Sequence, residues 1–212
     1  TLSLNQAEYE GYYGGFSNRT LWPLMHGRLD MVHFDAEEFA CYLAVNQRFA
    51  DELLPLLEAD DSIWVHDYHL IPLGALLRQQ GVSSPLGLFL HGPVPAPEIL
   101  EALPCYQQLI RSLNAYDLVG LQTEKDVRNL CDFMLRYLGG QRLADDSLMV
   151  GGHRVRVAAF PIGIDPQAFS QLALSQSMAA VSARVPLRII GVERLDYTKG
   201  LPQRLQAFEH LL

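Results

Sequence analysis

Three short apolar runs recur along the chain at helix-length intervals, and each gives way to polar residues. They are Ile63-Trp64-Val65 before His66 and Asp67, Leu86 to Leu90 before His91, and Leu118 to Leu121 before Gln122. None alternates apolar with polar, so a strand made from any of them has to be covered on both faces. That is the signature of a parallel sheet lying between layers of helices. An α/β fold with a parallel sheet flanked by helices is therefore expected.

The intervening stretches supply those helices. Residues 35–59 open with Asp35 and Glu38 in capping-box spacing and carry Phe39, Leu43, Phe49, Leu53 and Leu57 near helical period. Residues 70–81 read as a helix ended by Gly81, and residues 106–115 as another. In residues 123–140, Thr123 takes the N-cap position and Gly139 the residue just past the end. Residues 148–161 read as a hairpin turning at Gly151-Gly152. Residues 171–185 turn small and polar, with no apolar stripe; a buried strand over 187–195 and a helix over 202–212 are expected after them. This places a domain boundary near residue 185, with residues 1–185 as the first domain and 186–212 as one strand-helix unit of a second. Such a unit cannot bury a core by itself.

The formal net charge of the 212 residues is -8, and no basic run occurs anywhere. Nucleic acid and anionic membrane are therefore not expected as partners, because such binding rests on clustered Lys and Arg. Cys41, Cys105 and Cys131 form an odd set without CxxC spacing and read as small apolar core residues of a reducing compartment. No run reaches transmembrane length, so a cytoplasmic protein is expected. The chain opens at Thr1 with no recognisable element and breaks off after "AFEHLL", which suggests a fragment of a longer polypeptide; a processed leader is the alternative.

In parallel α/β sheets, ligands bind beyond the carboxyl ends of the strands. Asp67 follows the first strand there, able to accept hydrogen bonds from sugar hydroxyls or to cap the helix that follows. His66 and His69 have HxxH spacing, but a strand-to-helix turn splays such a pair, and no metal site is expected. His91 stands where the second strand meets Pro93 and Pro95, either facing a cleft or serving as a structural histidine. Arg194 and Lys199 flank the turn before Gly200 and suit a phosphate group; alternatively Arg194 pairs with Glu193 or Asp196. The aromatic loop over residues 12–26 offers Tyr13 and Trp22, either as stacking surfaces for a sugar ring or as core packing.

Read in order, "YYGGFSNRTLWPLMHGR", "WVHDYHLIPL", "LFLHGPVPAPEIL", "GLQTEKD", "FPIGIDP" and "VERLDYTKGLP" resemble the trehalose-6-phosphate synthases from about residue 8 to the end. The resemblance implies two facing Rossmann-like domains of the GT-B glycosyltransferase architecture. The implied reaction is transfer of glucose from UDP-glucose to glucose 6-phosphate with retention of configuration, with no metal or other cofactor. Tyr13, Trp22 and Asp67 then correspond to acceptor-site residues, His91 to the histidine beside the donor glucose, and Arg194 and Lys199 to the pair that neutralises the donor diphosphate. The leaving phosphate itself would take the acceptor proton during front-face attack.

On this resemblance residues 1–185 are the acceptor-side domain lacking its N-terminal part, residues 186–212 begin the nucleotide-sugar domain, and the 212-residue chain alone is inactive. Gly92 and Val94 stand where relatives carry bulkier residues. A sibling enzyme with another acceptor (glycerol 3-phosphate, or a cyclitol in a pseudo-glycosyltransferase) and a non-catalytic sugar-phosphate-binding homologue remain as alternatives. A homo-oligomer is compatible with all of these.

Overall fold

The computed structural model describes residues 1–175 and 189–212. They fall into two compact units, Thr1–Ile162 and Gly163–Leu212.

The first unit is built on a six-stranded sheet. Its strands are β1 (Ile63–His66), β2 (Leu86–Phe89), β3 (Leu118–Leu121), β4 (Gln141–Arg142), β5 (Leu148–Val150) and β6 (His153–Ala159), in the order β1-β2-β3-β6-β5-β4. β1, β2, β3 and β6 run parallel, with Val65 opposite Leu88, Leu88 opposite Val119 and Val119 opposite Val157. These four residues are buried and share one face of the sheet, whereas the opposite face of β1 is open at Trp64, 68% exposed. The hairpin from β5 to β6 turns at Gly151-Gly152, where φ is 57° and 82°. Two positive φ values in succession suit a two-residue turn between right-twisted antiparallel strands, and glycine adopts them without strain.

The crossovers are α1 (Ala36–Leu53), which precedes β1, then α2 (Leu73–Gln79), α3 (Tyr106–Leu113) and α4 (Glu124–Tyr137). Asp35 caps α1 by accepting the Glu37 and Glu38 amides at 2.7 and 3.2 Å. The return half of the capping box is not made, because the Glu38 carboxylate pairs with Arg19 instead. Thr123 caps α4, and Gly139 follows its end at φ 65°. Tyr116 locks α2 to the sheet. Its hydroxyl accepts the Gly74 amide at 2.9 Å, and its ring lies 2.5 Å from where a Cβ on residue 74 would stand, so only glycine fits there.

Three expectations are corrected. Residues 6–25 are helical rather than a loop, running through Gln6–Glu8, a wide π-type segment Tyr9–Leu21 and Trp22–Met25. Gly11, Gly14, Gly15 and Pro23 mask the pattern in the sequence; the backbone leaves helical geometry at Gly15 and resumes after it. A capping box of Asn5 with Glu8 was the legible start signal. Secondly, the described part of the expected strand over 187–195, residues 189–195, is not a strand. A strand needs a neighbour to bond with, and no described residue pairs with it. Thirdly, β1 is not covered on both faces, since Trp64 and His66 are exposed on one of them. The described part of residues 171–185 continues α5 (Pro166–Ser175), whose signals are the Asp165 cap, accepting the Ala168 amide at 3.0 Å, and proline at the first helical position.

The expected boundary near residue 185 lies outside the described residues. The second unit also contains α6 (Leu201–Leu211), and none of the unit's described residues is buried.

Candidate functional site

Asp67 leaves β1 at φ 70° and ψ 171°, a region that side-chain-bearing residues avoid. Holding a non-glycine residue there costs about 1–3 kcal/mol. The surroundings enforce it: the Asp67 amide donates to Phe89 O at 2.7 Å, and its carbonyl accepts the Leu70 amide at 3.2 Å. The carboxylate does not cap the following turn; Oδ1 accepts the backbone amide of His91 at 3.2 Å. Asp67 and His91 are thus brought together across the carboxyl ends of two adjacent parallel strands, with His91 exposed. The neighbouring histidine, His66, stands with Nδ1 3.1 Å from His91 Nε2.

The loop carrying His91 is clamped from α4. Buried Asp126 accepts the Val94 amide at 2.8 Å on Oδ1 and the Thr123 hydroxyl at 2.5 Å on Oδ2, and Asn129 Nδ2 donates to Val94 O at 2.7 Å. Beneath the loop, a Cβ on Gly92 would stand 2.7 Å from Met25 Cε and 3.9 Å from the Trp22 ring.

The two aromatic candidates differ in exposure. Tyr13 is 40% exposed, and its ring stacks on that of His69 at 5.2 Å and 10°. Trp22 is half-buried, 4.1 Å from the His26 ring and 5.6 Å from that of Tyr68, whose hydroxyl donates to Asn18 Oδ1 at 2.8 Å. α1 fixes this turn from below, with the Tyr42 hydroxyl donating to Tyr68 O at 2.6 Å and Asn46 Nδ2 to His69 O at 3.0 Å. His69 Nε2 is shielded from solvent without a hydrogen-bond partner. Burial lowers the pKa of His69, and the Asp67 charge works in the opposite direction.

In the second unit Arg194 forms no pair with either carboxylate considered for it. Glu193 is taken by Arg204 in a two-pronged ion pair, and Asp196 accepts the amide and the hydroxyl of Thr198, each at 2.9 Å. Among the described residues neither Arg194 nor Lys199 lies within ion-pair distance of an acid. Gly200 is left-handed at φ 62° and opens α6. No group of three or more potential metal ligands gathers among the described residues, nor is any helix among them long and apolar enough to cross a membrane.

Sequence reasoning missed His66 as the neighbour of His91, His69 as the bed under Tyr13, and the clamp of Asp126 and Asn129. The clamp was foreshadowed by the acid three residues after Thr123. The two contacts of the histidines depend on tertiary placement and had no local signal.

Relatives carry the same frame. A trehalose-6-phosphate synthase of Cronobacter sakazakii is 42% identical over 217 aligned residues, which cover 100% of this chain and 46% of the relative. The crystal structure of a UDP-forming α,α-trehalose-phosphate synthase from Burkholderia vietnamiensis superposes with a TM-score of 0.91 at 42% identity, covering 100% of this chain and 49% of that one. A Burkholderia xenovorans synthase in complex with glucose-6-phosphate gives 0.78 at 42% identity, over 82% and 39% of the two chains. The chain thus spans about half the length of the relatives it matches. The model of glycosyltransferase family 20 matches residues 1–212, and the chain belongs to that family.

Proposed function

We propose that this chain is the acceptor-side part of a retaining glucosyltransferase that moves glucose from UDP-glucose to glucose 6-phosphate, forming α,α-trehalose 6-phosphate. On this reading residues 1–185 hold the acceptor, and residues 186–212 begin the nucleotide-sugar domain of a soluble cytoplasmic enzyme. The observation that carries the proposal is the strained Asp67, held with its carboxylate beside His91 at the carboxyl ends of β1 and β2. Strain of this kind persists where geometry matters more than stability. The similar synthases, one described as UDP-forming and one in complex with glucose-6-phosphate, supply the substrate pair.

Asp67 then contacts the acceptor sugar. Tyr13 and Trp22 line its site, Tyr13 exposed on its stack and Trp22 at the base of the His91 loop. His91 reaches the donor glucose. Arg194 and Lys199, which no carboxylate claims among the described residues, neutralise the departing diphosphate as fixed charges. The leaving phosphate accepts the proton of the attacking hydroxyl, so no protein nucleophile is required.

The test uses the full-length polypeptide that carries residues 1–212. UDP release from UDP-glucose is followed with glucose 6-phosphate and, separately, with glycerol 3-phosphate, and the anomeric configuration of the product is read by NMR. The expected result is an α,α-linked disaccharide phosphate from glucose 6-phosphate. Release with glycerol 3-phosphate alone would assign the chain to a sibling activity, and release with neither would overturn the enzymatic reading.

A further inference from the structure

His66 ends β1 on the same sheet face as Trp64, and both side chains are exposed. Its ring lies 4.5 Å from the Trp64 ring and 5.4 Å from that of His91, tilted 19° to the latter, with Nδ1 3.1 Å from His91 Nε2. That separation is a hydrogen bond between two imidazoles, so one nitrogen carries the proton and the other presents its lone pair. Phe89 contacts both rings, at 6.5 and 4.8 Å, and the Asp67 carboxylate pins the His91 backbone amide. His91 is therefore held at its main chain by one residue of the β1 end and at its ring by the next.

We infer that His66 is a positioning residue that fixes the ring orientation of His91 and couples its tautomer to that of His66 through the His66 Nδ1–His91 Nε2 hydrogen bond. Pairing through Nε2 leaves His91 Nδ1 as the nitrogen free to meet a ligand. Its character is the opposite of the shared nitrogen's: a donor at Nδ1 when Nε2 accepts, an acceptor when Nε2 donates. A pair in this geometry also holds a single proton between its facing nitrogens, because two facing N–H groups would repel. The inference deepens the proposed glucosyl transfer and rests on His91 meeting the donor there.

Two variants separate orientation from bulk. His66→Phe keeps a ring against Trp64 and removes the bond, whereas His66→Asn places an amide near the position of Nδ1. In the full-length protein, His66→Phe is expected to lower kcat about tenfold, the order of one oriented hydrogen bond, with acceptor KM unchanged. His66→Asn recovers most of that loss. In a His91→Ala background, His66→Phe changes nothing further, as a double-mutant cycle requires of a residue acting only through His91.

A readout independent of activity comes from long-range proton–nitrogen correlation spectra of the imidazoles in the 212-residue chain. They should show His66 and His91 in matching tautomers, both Nδ1–H or both Nε2–H in equal proportion, and a changed proportion for His91 in His66→Phe. Unmatched tautomers in the parent overturn the bond itself, and a loss from His66→Phe that persists without His91 overturns the positioning role. Matching tautomers accompanied by unaltered kinetics in both His66→Phe and His91→Ala instead overturn the placement of His91 in the proposed function, and the positioning role falls with it.

Discussion

Asp67 spends stability on geometry. Its backbone occupies a region open essentially to glycine, while its side chain makes one hydrogen bond to a partly exposed loop. Relief of the strain should offset the lost bond, which is worth about 1 kcal/mol. Asp67→Gly is thus expected to be as stable as the parent, or more stable by up to about 2 kcal/mol, in denaturant titration. The same change in the full-length protein should abolish acceptor use. A glycine variant clearly less stable than the parent would mean that the fold does not hold this residue under strain.

His69 makes a second residue-scale prediction. Its folded pKa lies below the ordinary 6.5 because burial disfavours the cation. The unfolded chain therefore binds a proton that the folded chain refuses. The stability this group contributes is full above 6.5 and is lost as pH falls from there through the lower folded value. Between about pH 7 and 5 the parent should lose stability more steeply than His69→Phe, which keeps a ring under Tyr13 and has no proton to take up. Parallel curves would sink the argument.

Among the elements, those whose pattern and punctuation agree were legible in the sequence. β1, β2 and β3 are unbroken apolar runs, α1 and α4 carry their caps, and the hairpin carries its two glycines. Where one signal cancelled another, the reading failed. In residues 6–25 three glycines and a proline hid a helix that tertiary packing demands, because Phe16 and Leu24 are fully buried against α1 and the site loop. Residues 189–195 show the converse, an apolar run that takes strand form only beside a partner.

The break in the helix at Gly15 has its own test. A Cβ there would stand 2.7 Å from Glu38 Cδ and 2.9 Å from Glu10 O, and the second atom is backbone that cannot swing aside. Gly15→Ala should therefore destabilise the first unit by about 1–3 kcal/mol in thermal or denaturant unfolding. A neutral result would show that this segment shifts freely. Of the candidate site, sequence position marked Asp67 and His91 because strand ends are recognisable. The contacts that hold them come from residues far along the chain and could not be read from it.

At the scale of the molecule, the two units differ in kind. Thr1–Ile162 encloses a core around Tyr42, Tyr116, Phe16 and Phe133, whereas no described residue of Gly163–Leu212 is buried. Local stability follows buried contact, so the second unit should open first. Brief trypsin treatment is expected to cut at exposed Arg194, Lys199 or Arg204 and to leave a resistant product containing residues 1–162. Early cleavage within α1 or α4 would contradict this order of stability.

The clamp on the His91 loop also limits how the site can be re-engineered. Residues 91–97 owe their course to Asp126 and Asn129 on α4, and to the absence of a side chain at Gly92 above Met25. A transplant of that loop alone into another scaffold would carry the letters without the shape. The smallest portable module is the loop together with the first turns of α4 and the turn at Asp67, three segments that any exchange of specificity has to move as one.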